Sequence, residues 1–248
     1  MRYLVLSDIH ANLEALDATL DHAAGEAYDR VLVLGDLVGY GADPASVIDR
    51  VRDLDPLAIV RGNHDRAAAR VDDAETFNLS ARRAVAWTAE VLTPAHRAYL
   101  AALPEGPALV NSGVEICHGA PSGEDDYVFE AHDAARALQD SVRPICFFGH
   151  THIQVIYQWA PDGALDVSGA ARSSARRLSL QPEHKYLVNP GSVGQPRDGD
   201  PRAAYALLDT DAHELVLFRV PYAIERAQAK IREAGLPEVL AARLASGR

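Results

Sequence analysis

Asp8 and His10 in SDIH, Asp36 in LGDL, Asn63 and His64 in RGNHD, His118 in CHGA, and His150 and His152 in GHTH are groups that can bind a metal ion or meet a phosphate. Each set ends an apolar run: YLVLSDIH, VLVLGD, AIVRGNHD, VEICHG and ICFFGHTH. Buried parallel strands read as such runs, and ligands in open α/β sheets gather outside the carboxyl ends of the strands. Five distant stretches therefore point at one place, and the residue types suit a two-metal centre. Asp8 and His10 stand two apart, as do His150 and His152, so in an extended segment each pair lies on one side and can chelate. Asp36, at a neighbouring strand end, can bridge two cations, with Asn63 and His118 as further oxygen and nitrogen ligands. Such mixed sets suit Mn, Fe, Zn, Co or Ni better than Mg or Ca.

Alternating strand and helix signals position these groups. Residues 2 to 7 read as a strand, and Leu13, Leu16 and Leu20 recur at helical spacing behind Asn12, an N-cap, until the helix fades near Gly25. VLVLGD is a second strand. Asp43 and Pro44 form a cap and first-turn signal for a helix carrying Val47, Ile48, Val51 and Leu54, closed by Pro56 before a third strand in LAIVRGN. Residues 66 to 104, rich in Ala and Arg, read as a helical insertion over the sheet edge, with helices around 79 to 92 and 95 to 103 parted at Thr93-Pro94. Strands follow at 107 to 117 and 144 to 149 around a helix at 130 to 140, then a strand near 153 to 159. The Gly, Ser and Arg stretch 162 to 177 reads as a mobile surface excursion. Strand signals return at 185 to 188, 203 to 209 and 213 to 220, and 221 to 248 reads as a C-terminal helical segment. No internal repeat or long linker divides 1 to 248, which reads as a single α/β domain.

Composition limits the partners. Lys and Arg number 24 against 35 Asp and Glu, a net charge of −11, which argues against a broad footprint for duplex nucleic acid or an anionic membrane. Any phosphate must be attracted locally. The first apolar stretch is too short for a signal-peptide core, no run approaches the length of a membrane span, and there are two Cys, so the reduced cytoplasm is the expected compartment. Cys117 and Cys146 read as buried structural thiols, with Cys117 pointing away from the site because it precedes His118 in a strand. His22, His96, His132, His184 and His213 have no partner at ligand spacing and read as solvated or structural.

The order SDIH, LGDL, RGNHD, CHGA and GHTH closely resembles the calcineurin-like metallophosphoesterase superfamily, and NPGSVGQPRDG, from Asn189 to Gly199, resembles the closing segment of its small bacterial phosphodiesterase branch. Singly, each element has an ordinary reading, Asp8 as a helix cap or Asp36 as a turn residue. Five strand ends in the family order set those readings aside. The resemblance implies a four-layer αββα sandwich of the metallo-dependent phosphatase type. It assigns Asp8, His10, Asp36 and His152 to one metal and Asp36, Asn63, His118 and His150 to the other, with Asp36 bridging. His64 then faces the substrate and stabilises or protonates the leaving oxygen. The implied reaction is in-line attack of a metal-bridging hydroxide on a phosphoester, with Mn as the favoured metal of a divalent or mixed-valence pair.

The substrate is narrowed by departures from the pattern. Phosphoprotein phosphatases and dinucleoside-polyphosphate relatives read GD-x-x-DRG, and here Gly39 and Tyr40 stand where that Asp and Arg would be. A phosphoprotein phosphatase is disfavoured, and a phosphodiesterase on a small or nucleotide-like molecule is preferred to a phosphomonoesterase, a dinucleoside-polyphosphate hydrolase or a metal-retaining interaction scaffold. Ala11 replaces a common Gly and adds a methyl near the first metal. Asn12, Asp65, Asn189, Gly191 and Ser192 are further candidates for substrate contact. Arg66 and Arg197 lie near motif elements, where solvated surface positions are preferred to a phosphate clamp. Oligomeric state is not encoded in any pattern here.

Overall fold

The computed structural model describes residues 1–71, 74–171 and 173–248. Numbered in chain order, the first sheet carries the parallel strands β3 (Ala58–Ile59), β2 (Arg30–Val33) and β1 (Arg2–Leu6), then β11 (Ala203–Asp209), β12 (Glu214–Val220) and β9 (Ala175–Ser179), which run antiparallel to their neighbours. The second is ordered β4 (Ala108–Leu109), β5 (Val114–Ile116), β6 (Ile145–Phe147), β10 (Lys185–Asn189), β7 (Val155–Trp159) and β8 (Leu165–Ser168), with β5, β6 and β10 parallel. The helices are α1 (Leu13–Glu26), α2 (Pro44–Asp53), α3 (Asn63–Ala68), α4 (Leu79–Val91), α5 (Pro94–Ala102), α6 (Ala131–Asp140), α7 (Ile224–Glu233) and α8 (Glu238–Leu244).

Strand alternation makes the layers. Leu4 and Leu6 of β1 pack into one core with α1 and α2, whereas Tyr3 and Val5 face Phe147, Tyr186 and Val188 of the second sheet. On that sheet's far side Cys146, Phe148 and Leu187 pack against Ala134 and Leu138 of α6. Helix, sheet, sheet and helix are thus bound by three apolar cores, as the αββα expectation requires, and each fully buried Leu, Ile, Val or Phe in them contributes about 1.5–3 kcal/mol. A fourth cluster joins α7 and α8 to Ala81 and Ala84 of α4 and to Tyr40, which brings the C-terminal helices and the expected insertion to the rim of the site.

Three readings of the sequence are corrected. Asp43 makes no cap hydrogen bond to α2; Lys230 Nζ takes its carboxylate at 2.8 Å instead. The third strand is only two residues long, because Arg61 N–H leaves the ladder for Pro104 O and the GNHD segment winds into α3, a helix the sequence did not announce. The stretch 162 to 177 is not an irregular excursion: β8 turns back on β7 at Asp162-Gly163, and β9 pairs with β12. Both are half-exposed edge strands of polar residues, LDVS and ARRLS, which lack the apolar run that marks a buried strand. Residue 172 of that stretch, and 72 and 73 of the insertion, lie outside the described residues. The five ligand-bearing ends belong to the two sheets of the sandwich: β1, β2 and β3 deliver residues from one, β5 and β6 from the other.

Candidate metal centre

The loops after these strands are fastened to one another by backbone bonds. Asp8, His10 and Ala11 N–H donate to Gly35, Asp36 and Leu37 O, Gly149 N–H donates to His118 O across the second sheet, and Val193 and Gly194 N–H donate to Ser7 and Asp8 O. Fastening is needed because Asp8, His10, Asp36, His150 and His152 all have φ between 49° and 65°, the left-handed region. Each such residue costs roughly 1–3 kcal/mol and persists only where its surroundings over-determine it. The D-x-H and H-x-H pairs therefore reach the site from left-handed turns and not from extended strands. The consequence for GHTH is a division of labour: its two imidazoles go to different clusters.

One ligand atom from each of Asp8, His10, Asp36 and His152 lies within 4.8 Å of the others, and the same holds for Asp36, His118 and His150. Asp36 is common to both. Its Oδ1 accepts His64 N–H at 2.9 Å, and its Oδ2 stands 3.4 Å from His10 Nε2 and 3.5 Å from His118 Nε2. Asp8 Oδ1 is 3.3 Å from His152 Nε2, while Ser7 Oγ–H and His150 N–H donate to the Asp8 carboxylate. Asn63 Oδ1 joins the second cluster 3.3 Å from His118 Nε2. A Cβ on Gly62 would collide with the Asp36 carboxylate, so the GNH segment approaches it only as glycine.

The tautomers are set by carbonyls. Nδ1 of His10, His118 and His152 lies 3.0, 2.7 and 2.6 Å from Val38, Leu34 and Gln195 O, and a carbonyl only accepts, so each Nδ1 carries hydrogen and each Nε2 is the nitrogen left for the clusters, as a lone pair on neutral His10 and His152. Among the described residues His150 Nε2 is buried with no hydrogen-bond partner. Burial holds His10 and His152 well below the usual imidazole range and takes His150 down to about 3 and His64 to about 4. Burial also opposes a charge on His118, but the Asp36 carboxylate beside it prevails and raises it to about 10. Burial pushes Asp8 up to about 6; it opposes the charge on Asp36 too, yet His118 and His64 hold that carboxyl well below its ordinary range. Converging lone pairs, one orphaned imidazole and two buried carboxylates fit divalent cations. This is a buried Asp/His metal-binding cluster.

Over it opens a cavity of about 430 Å³ whose wall includes Asp36, Asn63, His64, His150 and His152 together with Tyr40, Phe77, Asp125, Tyr127 and Arg197. The His64 ring sits edge-on to His10 at 4.9 Å and packs against Tyr40 at 4.3 Å and Phe77 at 4.6 Å. Its Nδ1 has no partner, and a Cβ on Gly39 would collide with it. Tyr127 and Phe77 carried no sequence signal, since neither belongs to a motif. Arg197 could have been found through QPRDG; the surface position preferred for it is wrong, because its guanidinium lines the cavity. Arg66, by contrast, is partly buried and ion-paired to Glu124 and Asp125.

The remaining candidates stand behind the cavity wall, with their polar groups committed to the fold. Asn12 caps α1 and donates to Gly194 O, and Asp65 accepts from Gly62 and Val38 N–H. Asn189 donates to Gly149 O and Thr151 Oγ1 and accepts Gly191 N–H, while Ser192 Oγ–H donates to Asp8 O. None of these five is among the described residues that line the cavity. Ala11 lines a small cleft under the C-terminal helices and is not among the described residues that line the main opening. Cys117 and Cys146 are buried in the outer core as expected, Cys117 on the side away from the clusters, and the five other histidines lie outside both clusters.

The profile of the calcineurin-like phosphoesterase superfamily domain matches residues 1–213. An uncharacterized protein of Methanocaldococcus jannaschii is 34% identical over 252 residues, covering 98% of this chain and 97% of that protein. The crystal structure of a metallophosphoesterase from Sphaerobacter thermophilus is similar at TM-score 0.87 and 39% identity, covering 100% of this chain and 99% of the other. That of a hypothetical protein from Pyrococcus horikoshii shares the fold at TM-score 0.80 and 19% identity, covering 100% and 98%.

Proposed function

Because the chain belongs to the calcineurin-like phosphoesterase superfamily, and is on that ground a metal-dependent phosphoester hydrolase, we propose that it is a dinuclear phosphodiesterase acting on a small or nucleotide-like substrate. The observation that carries the dinuclear reading is the placement of Asp36 Oδ2, 3.4 Å from His10 Nε2 in one cluster and 3.5 Å from His118 Nε2 in the other. In this reading Asp8, His10, Asp36 and His152 hold one metal, Asp36, Asn63, His118 and His150 hold the second, and Mn is the native ion. Mixed oxygen and imidazole ligands support a first-row transition metal.

When bound, the two cations acidify a water and offset charge on the attacking and leaving oxygens. The chain supplies the rest. Carbonyls of Val38, Leu34 and Gln195 fix the imidazole tautomers, His64 N–H donation to Asp36 Oδ1 orients the bridging carboxylate, and the His64 ring in the cavity wall stabilises the leaving oxygen. The two free thiols support a reducing compartment, the cytoplasm.

A diester is favoured over a monoester or a dinucleoside polyphosphate by the NPGSVGQPRDG resemblance and by Gly39 and Tyr40 in place of the phosphatase Asp and Arg. A cavity of about 430 Å³ leaves room for a nucleotide-sized group beside the metals. Bis(p-nitrophenyl) phosphate, p-nitrophenyl phosphate and diadenosine tetraphosphate assayed on one Mn-loaded preparation test this. The diester is expected to give the highest kcat/KM; a monoester preference overturns the diesterase assignment.

A further inference from the structure

Among the described residues that line the cavity, Arg197 is the one arginine or lysine. Its guanidinium lies 5.6 Å over the Tyr40 ring and donates from one terminal nitrogen to Tyr40 Oη at 3.3 Å and Gln195 Oε1 at 3.2 Å. Both acceptors are neutral. Its Nε is buried without a partner. Of the carboxylates nearby, Asp8 and Asp36 belong to the metal clusters, and Asp198 is taken by the fully buried Arg219, Asp200 by Arg202, and Asp125 by Arg66. Arg243 of α8 reaches the same Gln195 Oε1 at 3.4 Å, and its Nε is likewise orphaned. Two neighbouring guanidinium groups sharing one amide oxygen, with no carboxylate on either among the described residues, call for an anion from outside the chain.

We propose that Arg197 is the phosphate clamp of this enzyme, its planar fork gripping two oxygens of the phosphoester, and that Tyr40 is the positioning residue that aims it. The inference rests on the phosphoesterase reading and adds the group that binds the anion beside the metals. Placement relative to the metals is fixed through the backbone, because Arg197 N–H donates to His152 O at 3.2 Å. Tyr40 is fixed by its ring contacts with His10 at 4.6 Å and His64 at 4.3 Å. The GD segment brings Tyr40 but no cation of its own, and the cation arrives on it from the segment between β10 and β11. A guanidinium suits the task because two parallel N–H groups match two phosphate oxygens and strengthen as charge gathers on them in the transition state.

Arg197→Ala, Arg197→Lys, Tyr40→Phe and the double variant Tyr40→Phe/Arg197→Ala are to be compared with the native protein, all Mn-loaded, by hydrolysis of bis(p-nitrophenyl) phosphate and by calorimetric binding of inorganic phosphate. Arg197→Ala should lower kcat/KM about 100-fold with metal content kept and phosphate binding weakened, and added guanidinium should restore part of the activity. Tyr40→Phe should raise KM more than it lowers kcat and should add little to Arg197→Ala, since both act through one guanidinium. Should Arg197→Ala fold poorly, Arg197→Lys, which keeps the charge without the fork, is expected to lose about tenfold. A metal-loaded Arg197→Ala or Arg197→Lys within threefold of native in kcat/KM overturns the clamp and leaves the phosphoesterase intact. If the native protein hydrolyses no ester, the phosphoesterase reading fails, and phosphate binding decides the clamp alone: equal affinity in native and Arg197→Ala overturns it.

Discussion

His10 Nε2 and His152 Nε2 face each other at 3.1 Å, and each ring has turned its Nδ1 hydrogen onto a carbonyl, of Val38 and Gln195 respectively. Two nitrogen lone pairs at that separation repel unless a cation stands where they point. Asp8 Oδ1 and Asp36 Oδ2, 3.3 and 3.4 Å from these nitrogens, complete a set built for a positive ion. The same cations explain how a protein of net charge −11 takes an anionic substrate, because bound metals dominate the field of their own site.

Asp36→Asn tests the shared ligand. Loss of the bridging charge should drop bound metal, measured by plasma mass spectrometry, below one ion per chain and activity by more than about 100-fold. His10→Ala and His118→Ala should each disturb chiefly one ion. Two ions retained in Asp36→Asn would remove the bridge from the account.

Metal uptake should release protons. In the metal-free protein Asp36 raises His118 to about 10, so the ring is protonated at neutral pH, and a metal can use its Nε2 only after that proton leaves. The sign follows: affinity falls as pH falls, about tenfold per unit while the metal-free ring stays charged. Addition of Mn²⁺ to weakly buffered protein at pH 7.5 should release about one proton per chain from this ring, and His118→Ala should abolish that release. No proton release from the native chain contradicts the charge state assigned to His118.

Much of this was legible in the sequence, for a physical reason. Ligands at the ends of buried strands follow apolar runs, and those runs alone point Asp8, Asp36, Asn63, His118 and His150 at one place. Reading 162 to 177 as irregular failed because β8 and β9 are edge strands, half-exposed and polar, whose pairing is set by β7 and β12. The left-handed backbone of His150 and His152 was equally silent, since a two-residue spacing looks the same in a strand and in a turn. Arg197 and Tyr40 lie 157 residues apart, and only the fold shows that they meet.

His64→Ala should lower kcat about 100-fold while both metals stay, because the ring lines the cavity and stands outside both clusters. Gly39→Ala should act in the same direction from a distance. Gly39 has φ 86°, where a Cβ is strained, and that Cβ would collide with His64 Nδ1. A lower melting temperature and a reduced kcat at unchanged metal content are expected for Gly39→Ala, and an unchanged kcat in His64→Ala removes His64 from the reaction.

A metal titration of turnover decides whether this chain works as a two-metal phosphoesterase. Protein stripped of metal is titrated with Mn²⁺ while hydrolysis of bis(p-nitrophenyl) phosphate is followed. Activity should appear only with metal and reach its plateau at two ions per chain. A plateau at one ion, or no hydrolysis with Mn²⁺, Zn²⁺, Co²⁺, Ni²⁺ or Fe²⁺, contradicts it.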